Sequence, residues 1–305
     1  MIHNDFASGL RASILRVGAL PMQLGVAAVL RDFDTDQVGL SHGLPLVAAR
    51  MALPQGSAAN MGTVKRSTRL FMDETRAPVL DPGAGKTKTG YLWALTRDDR
   101  GWCGGDPPAV VFTYAPGRSG SHAMNILLGF DGILQVDGYT GYDALAEPRR
   151  VGGKPLTLAY CWAHSRRKLH DIYQKDSSEI AAEGLRRIAQ LYKIEASIRR
   201  RAPEERLAAR QAQSAPLVAD FRRWLTHQRS RISAKSRLGE KLGYIHRHWD
   251  GLQILLTDGR VEMDTNTVEN TIRPITLNRK NPSSPDMTRA DALGPAWPRS
   301  SKPAS

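Results

Sequence analysis

Five short runs rich in β-branched and aromatic residues stand between Arg69 and Ala163, and after them the period changes. They are RLFMDET (Arg69 to Thr75), YLWALTR (Tyr91 to Arg97), AVVFTYA (Ala109 to Ala115), GILQVDGY (Gly132 to Tyr139) and PLTLAYCWA (Pro155 to Ala163). Such runs form half-buried strands. VLDPGAGKTKTG reads as a turn-rich connector between the first two, and DDRGWCGGDPP as a loop before the third. SHAMNILLGF has helical spacing, with Ser121 as its cap and Gly129 as its stop, and a short helix is expected near Tyr142 to Glu147. From Ser165 to about Leu256 the pattern is helical almost throughout. Leu185, Ile188, Leu191, Tyr192 and Ile198 share a face there, and Pro203 and Pro216 suit first-turn positions. Three consecutive strands followed by alternating helix and strand restrict the fold to a mixed sheet with helices on its faces, an α/β architecture.

Charge narrows the partner. The 305 residues carry a net charge of +13, which favours a polyanion, with nucleic acid first and an anionic membrane surface second. The excess is local: Cys161 to Arg247 holds 20 Lys and Arg against 9 Asp and Glu. That segment reads as a phosphate-facing helical surface, the alternative being a solvated face. Two cysteines, Cys103 and Cys161, exclude a disulfide framework and suit a reducing compartment, so the cytoplasm is expected. The most apolar stretch, Val17 to Leu30, is short for a membrane span and broken by Pro21 and Gln23.

Acids sit at informative places in this basic chain. An RNase H-like core has the strand order above. In such a sheet the first and fourth strands are neighbours, which would bring Asp73 and Asp137 together, with Glu269 arriving from a helix packed nearby. Three converging carboxylates repel one another unless cations bind, and two Mg²⁺ ions would turn that repulsion into a phosphodiester-cutting site. Each acid also has a local role open to it. Asp73 can cap a turn through the Thr75 backbone, and Asp137 before Gly138 is a good turn residue. Glu269 stands three after Asn266, as in a capping box, and four before Arg273, as in a helical ion pair.

The stretches around these acids resemble the transposases of the insertion sequence 66 family. They are DETRAPVLDPGAGKTKTGYLWALTRDDR, PPAVVFTYAPGR, GFDGILQVDGYTGYDAL, LAYCWAHSRRKLHD, LRRIAQLYKIE, EERLAARQAQSAPLV and MDTNTVENTIRPITLNRKN, in the family's order from about Arg66 to Asn281. The resemblance implies an RNase H-like fold with an Asp-Asp-Glu site, here Asp73, Asp137 and Glu269 as catalytic metal ligands. It implies Mg²⁺ as cofactor, two ions, with Mn²⁺ as a substitute. It implies DNA as partner, both transposon ends and target, with self-association on DNA left open. The reaction would be cleavage that leaves a 3′-hydroxyl, followed by attack of that hydroxyl on target DNA. A basic DNA-binding remnant without catalysis and a nuclease that cuts without joining are the alternatives.

Other motifs are weighed against this. Cys161 and His164 are two ligands where a zinc site needs four, so the Cys-x-x-His pair reads as an active-site buttress, like the signature that follows the second Asp in related transposases. GAGKT has Leu80 where a phosphate-binding loop needs glycine, so it reads as a turn. His164, Arg166, Arg167, Lys168, Arg273, Arg279 and Lys280 are the candidates for DNA contact or active-site support. The expected organisation is an unpatterned segment 1–64, a first part of the core 65–163, a basic helical insertion 164–258, the Glu269 helix 259–281 and a disordered tail 282–305 with five prolines. Residues 1–64 and 282–305 look foreign to the family, which suggests a truncated or frameshifted copy. On that reading, recognition of transposon ends is lost and non-specific DNA binding survives.

Overall fold

The computed structural model describes residues 25–28, 61–81 and 86–280, with backbone alone for 25–28, 78–81, 86, 87 and 277–280. The expectations for 1–64 and 282–305 lie outside these residues, except at 25–28 and 61–64.

The strands are β1 (Gly25–Ala28), β2 (Arg69–Asp81), β3 (Lys86–Arg97), β4 (Ala109–Ala115), β5 (Ile133–Val136) and β6 (Thr157–Tyr160). They form one mixed sheet in the order β1-β4-β3-β2-β5-β6. β2, β3 and β4 make an antiparallel meander, and β5 and β6 run parallel to β2. This is the RNase H-like strand order expected from the sequence, with β1 added antiparallel on the β4 edge. Helix α1 (Gly120–Ile126) connects β4 to β5, and a 3₁₀ segment (Thr140–Leu145) lies between β5 and β6. The cap of α1 is Ser119, whose side chain accepts from the Ser121 N–H, so the cap falls two residues before the expected Ser121.

The period of two divides the sheet into faces. Leu70, Met72, Trp93, Leu95 and Val111 point into a core shared with Ala123, Ile126 and Tyr142. Phe71, Ala94, Val110 and Phe112 point the other way, against Val268 and Ile272 of α8 (Asn266–Lys280). The alternation therefore sends Asp73 toward the α8 face and Glu74 toward the α1 face.

One sequence expectation needs correction. VLDPGAGKTKTG is mostly strand: β2 and β3 stay paired from Phe71↔Thr96 out to Asp81↔Lys86. β4 accompanies β3 only as far as Tyr91↔Ala115, so the last rungs form a two-stranded ribbon beyond the sheet. Among the described residues β2 has no second partner there, and Pro78 is tolerated opposite Thr89. At position 90 an added Cβ would meet the Tyr114 ring, which would have to move aside.

The helical block comprises α2 (Trp162–Asp176), α3 (Glu179–Ser197), α4 (Pro203–Ala209), α5 (Ala215–Arg231), α6 (Arg237–Arg247) and α7 (Trp249–Leu252). Ile188 and Leu191 pack with Trp162, Phe221 and Trp249, while Leu185 and Tyr192 lie at the border of the same core. Pro203 and Pro216 occupy first-turn positions as expected. Among the described residues, no helix is long and apolar enough to cross a membrane.

A π-helical turn (Arg210–Ser214) between α4 and α5 buries Arg210 completely. Its guanidinium donates twice to Glu195, both at 2.7 Å, and also to the carbonyls of Leu255, Asp258 and Val261. Arg206, 1% exposed, donates to Glu262 at 2.9 and 3.1 Å and to the Gly101 carbonyl. Two of the arginines in the basic segment are thus structural pins rather than phosphate contacts. Arg210→Ala should lose about 3–5 kcal/mol, because Glu195 loses both of its 2.7 Å donors and the Leu255, Asp258 and Val261 carbonyls each lose one. Urea denaturation checks this, and a loss below about 1 kcal/mol would contradict the pinning role.

Candidate active site

Asp73 sits on β2 opposite Ala94. β2 and β5 run parallel with Phe71 beside Gln135, so the same register continued by two residues sets Asp73 beside Asp137. The Asp73 Oδ1 accepts from the Glu74 N–H at 2.8 Å. Asp137 leaves the end of β5, and its Oδ1 accepts from the Tyr139 N–H at 2.8 Å. Gly138 follows with φ 96°, where an added Cβ would strike the His248 ring. The turn role open to Asp137 is therefore used, and it holds one carboxylate oxygen in place.

Glu269 stands in the first turn of α8, where the helix dipole favours a carboxylate. Among the described residues it makes neither of the local pairings open to it. The Asn266 N–H is taken by Asp264, and Glu269 faces His164 at 3.6 Å and Arg167 at 3.7 Å rather than Arg273. One of its oxygens, Oε1, is buried with no hydrogen-bond donor, and so is Nδ1 of His164.

The electrostatics are those of acids short of cations. Burial pushes the Asp73 carboxyl up to about 7; repulsion from Glu74, Asp137 and Glu269 adds to this, and the Glu74 N–H opposes it. Burial lowers the His164 pKa, against the pull of Glu269 and Asp137, so the imidazole is neutral at neutral pH. A cleft of about 270 Å³ opens between Asp73, His164, Arg167, Glu269 and Arg273.

A buried Asp73 carboxyl raised further by neighbouring negative charge, and a Glu269 oxygen buried without a donor among the described residues, are the donor chemistry that hard divalent cations take. Among the described residues, no three His, Cys, Asp or Glu side chains are grouped closely enough to hold a single ion together. A two-ion site asks less of each ion, since a few carboxylates suffice and water and phosphate complete the octahedron. The acids fit that demand as donors.

The same stretches carry a family signature. A family model described as the IS66 transposase family matches residues 47–290. The chain belongs to the IS66 transposase family. The match begins before Arg66 and ends beyond Asn281, so the likeness runs wider at both ends than the quoted motifs suggest. The chain is 42% identical to the uncharacterized protein y4jD of Sinorhizobium fredii over 219 residues, 72% of this chain and 43% of y4jD. It is 40% identical to y4qI of the same organism over 220 residues, 72% of this chain and 41% of that one. A third relative there, y4hP, is 37% identical over 227 residues, 70% of this chain and 40% of its own length. The chain thus spans less than half the length of the curated relatives it matches.

In this IS66 chain the Cys-x-x-His pair is built into the site from beneath. Cys161 is buried, and its sulfur accepts from the Thr265 N–H at 3.3 Å, one residue before α8 begins. The Trp162 N–H bonds the Met263 carbonyl at 3.0 Å. These two bonds tie the start of α2 to the start of α8, which carries Glu269. His164, one turn along α2, then reaches Glu269 itself.

The basic candidates separate. Arg167 and Arg273 line the cleft. Lys168 turns toward Tyr244, its ammonium 5.0 Å from the ring centroid. Arg166 is exposed and does not line the cleft. The side chains of Arg279 and Lys280 lie outside the described residues.

Glu74 was not singled out from the sequence. It is buried on the opposite face from Asp73, where the Tyr142 hydroxyl and Arg118 Nε each donate to it at 2.5 Å. The pair Asp-Glu on one strand, with a period of two, carried that signal: one acid per face. Burial raises the Glu74 pKa, and the two donors oppose the rise.

Proposed function

We propose that this chain is the DNA-cutting and joining core of a transposase, with Asp73, Asp137 and Glu269 as the ligands of two Mg²⁺ ions, Mn²⁺ substituting. The observation that carries this reading is the meeting of Asp73 from β2 and Glu269 from the first turn of α8 in one cleft that also presents Arg167 and Arg273, with the charge of Asp137 at the end of β5 also acting on Asp73. When bound, two divalent cations supply the charge neutralisation that phosphodiester attack needs.

The protein's own residues do the rest. Asp137, held through its Tyr139 N–H bond, and Asp73, on a central strand, offer rigid oxygens, so little reorganisation is needed. Neutral His164, 3.6 Å from Glu269, leaves the carboxylate's charge free for a cation. Arg167 and Arg273 at the rim hold non-bridging phosphate oxygens. In the first step a water oxygen bonds to phosphorus and the 3′-oxygen leaves, taking a proton to become a hydroxyl. In the second that hydroxyl oxygen attacks a target phosphodiester, its proton goes to solvent, and the target's own 3′-oxygen leaves.

The test is incubation with DNA carrying the element's ends, in Mg²⁺ or Mn²⁺ and in EDTA. Metal-dependent nicks and strand-transfer products are expected, and Glu269→Gln should lose both by at least about a hundredfold. Nicks without joined products would make the protein a nuclease. Cleavage that is absent, or equal in wild type and variant, would leave only a DNA-binding role.

A further inference from the structure

A second concavity adjoins the acids from the helical block. It lies between α2, the end of α5 and α6, has a volume of about 430 Å³, and is lined by Lys168, Arg229, Lys241, Arg247, Tyr244 and the single acid Glu240 among others. Among the described residues none of its four cations is paired with a carboxylate. Elsewhere in the block some arginines are matched, Arg186 and Arg187 with Glu183, Arg223 with Asp220 and Arg237 with Asp176, while Arg166, Arg200 and Arg201 are exposed with no carboxylate partner among the described residues. What sets the groove apart is that four unpaired cations converge in one concavity.

Tyr244 connects this groove to the acids. Its ring lies under the Lys168 ammonium, and its hydroxyl donates to the Asp137 carbonyl at 2.6 Å. Lys168 also stands one residue after Arg167, which lines the acidic cleft. Helix α2 therefore contributes to both the groove and the cleft.

We propose that this groove is the track for the DNA duplex flanking the scissile phosphate, gripped through its phosphodiester backbone by Arg229, Lys241 and Arg247 with Lys168 at the junction. The inference rests on the reading of Asp73, Asp137 and Glu269 as the cutting site only for which phosphate is flanked. The grip is electrostatic, and its aromatic content is one tyrosine already engaged by Lys168 and Asp137, so it is independent of base sequence and sensitive to salt.

The experiment measures binding without chemistry, so that it stands apart from the catalytic test. In an Asp137→Ala background with EDTA, fluorescence anisotropy follows a labelled duplex from 50 to 200 mM salt. Joint replacement Arg229→Ala, Lys241→Ala and Arg247→Ala should weaken binding at least about tenfold at 50 mM salt. It should also lower the slope of log affinity against log salt by about 2 to 3. Arg186→Ala with Arg223→Ala, which removes exposed but paired cations, should leave the slope unchanged. The charge-keeping set Arg229→Lys, Lys241→Arg and Arg247→Lys should restore both readings, which separates lost charge from lost fold. An unchanged slope in the folded triple variant, a failure of the charge-keeping set to restore it, or an effect on RNA but not on duplex DNA would overturn the assignment.

Discussion

Asp137→Ala should reduce metal-dependent DNA cleavage by at least about 10³-fold while the protein stays folded and still binds DNA. The size of the loss follows from position. Asp137 leaves the parallel strand next to Asp73, and one of its oxygens is fixed by the Tyr139 N–H. Its backbone carbonyl, which the substitution leaves in place, takes the Tyr244 hydroxyl. The variant therefore removes a carboxylate and little packing. Substrate turnover in Mg²⁺ and Mn²⁺, read beside circular dichroism and duplex affinity, checks it. Residual cleavage within tenfold of wild type would remove Asp137 from the catalytic set.

Without divalent cations, Asp73→Asn should be more stable than the wild type at pH 8 by about 2–4 kcal/mol and nearly equal to it at pH 4. The sign follows from the folded pKa of about 7, above the ordinary 3.8. Below the ordinary value both states hold the proton, and the acid contributes no difference. Between the two values the unfolded chain releases its proton and the folded one retains it, so stability falls as pH rises through that window. Above the folded value the loss is complete. Asparagine cannot ionise and escapes it. Mg²⁺ should raise the wild-type melting temperature at pH 8 and raise that of the variant far less, since binding to the folded state alone stabilises it. Equal melting curves at pH 8 in EDTA would show that the acids do not strain one another.

Much of this architecture was legible because it rests on local pattern. The strand at Ala109–Ala115 has the same bounds in sequence and structure, since a run of β-branched and aromatic residues bounded by turn signals leaves little choice. The misreadings came where a partner decides. VLDPGAGKTKTG has turn composition, but a facing strand holds it extended to Asp81. The basic excess between Cys161 and Arg247 looked uniformly available, yet Arg206 and Arg210 are buried against Glu262 and Glu195. Glu269 had two local partners at the right spacing and uses neither among the described residues, because α2 brings His164 and Arg167 closer.

The sequence alone therefore determined the strand order, the helical block and the basic balance, since periodicity, charge and residue type are local properties that survive in one dimension. Tertiary structure decided what those residues do to one another. Asp73 becomes a reluctant acid only when burial removes water from it and β5 and α8 bring in further negative charge. Cys161 becomes a tether for the Glu269 helix only when Thr265, 104 positions away, folds back onto it. Charge repulsion and desolvation depend on distances through space, and no spacing along the chain sets those.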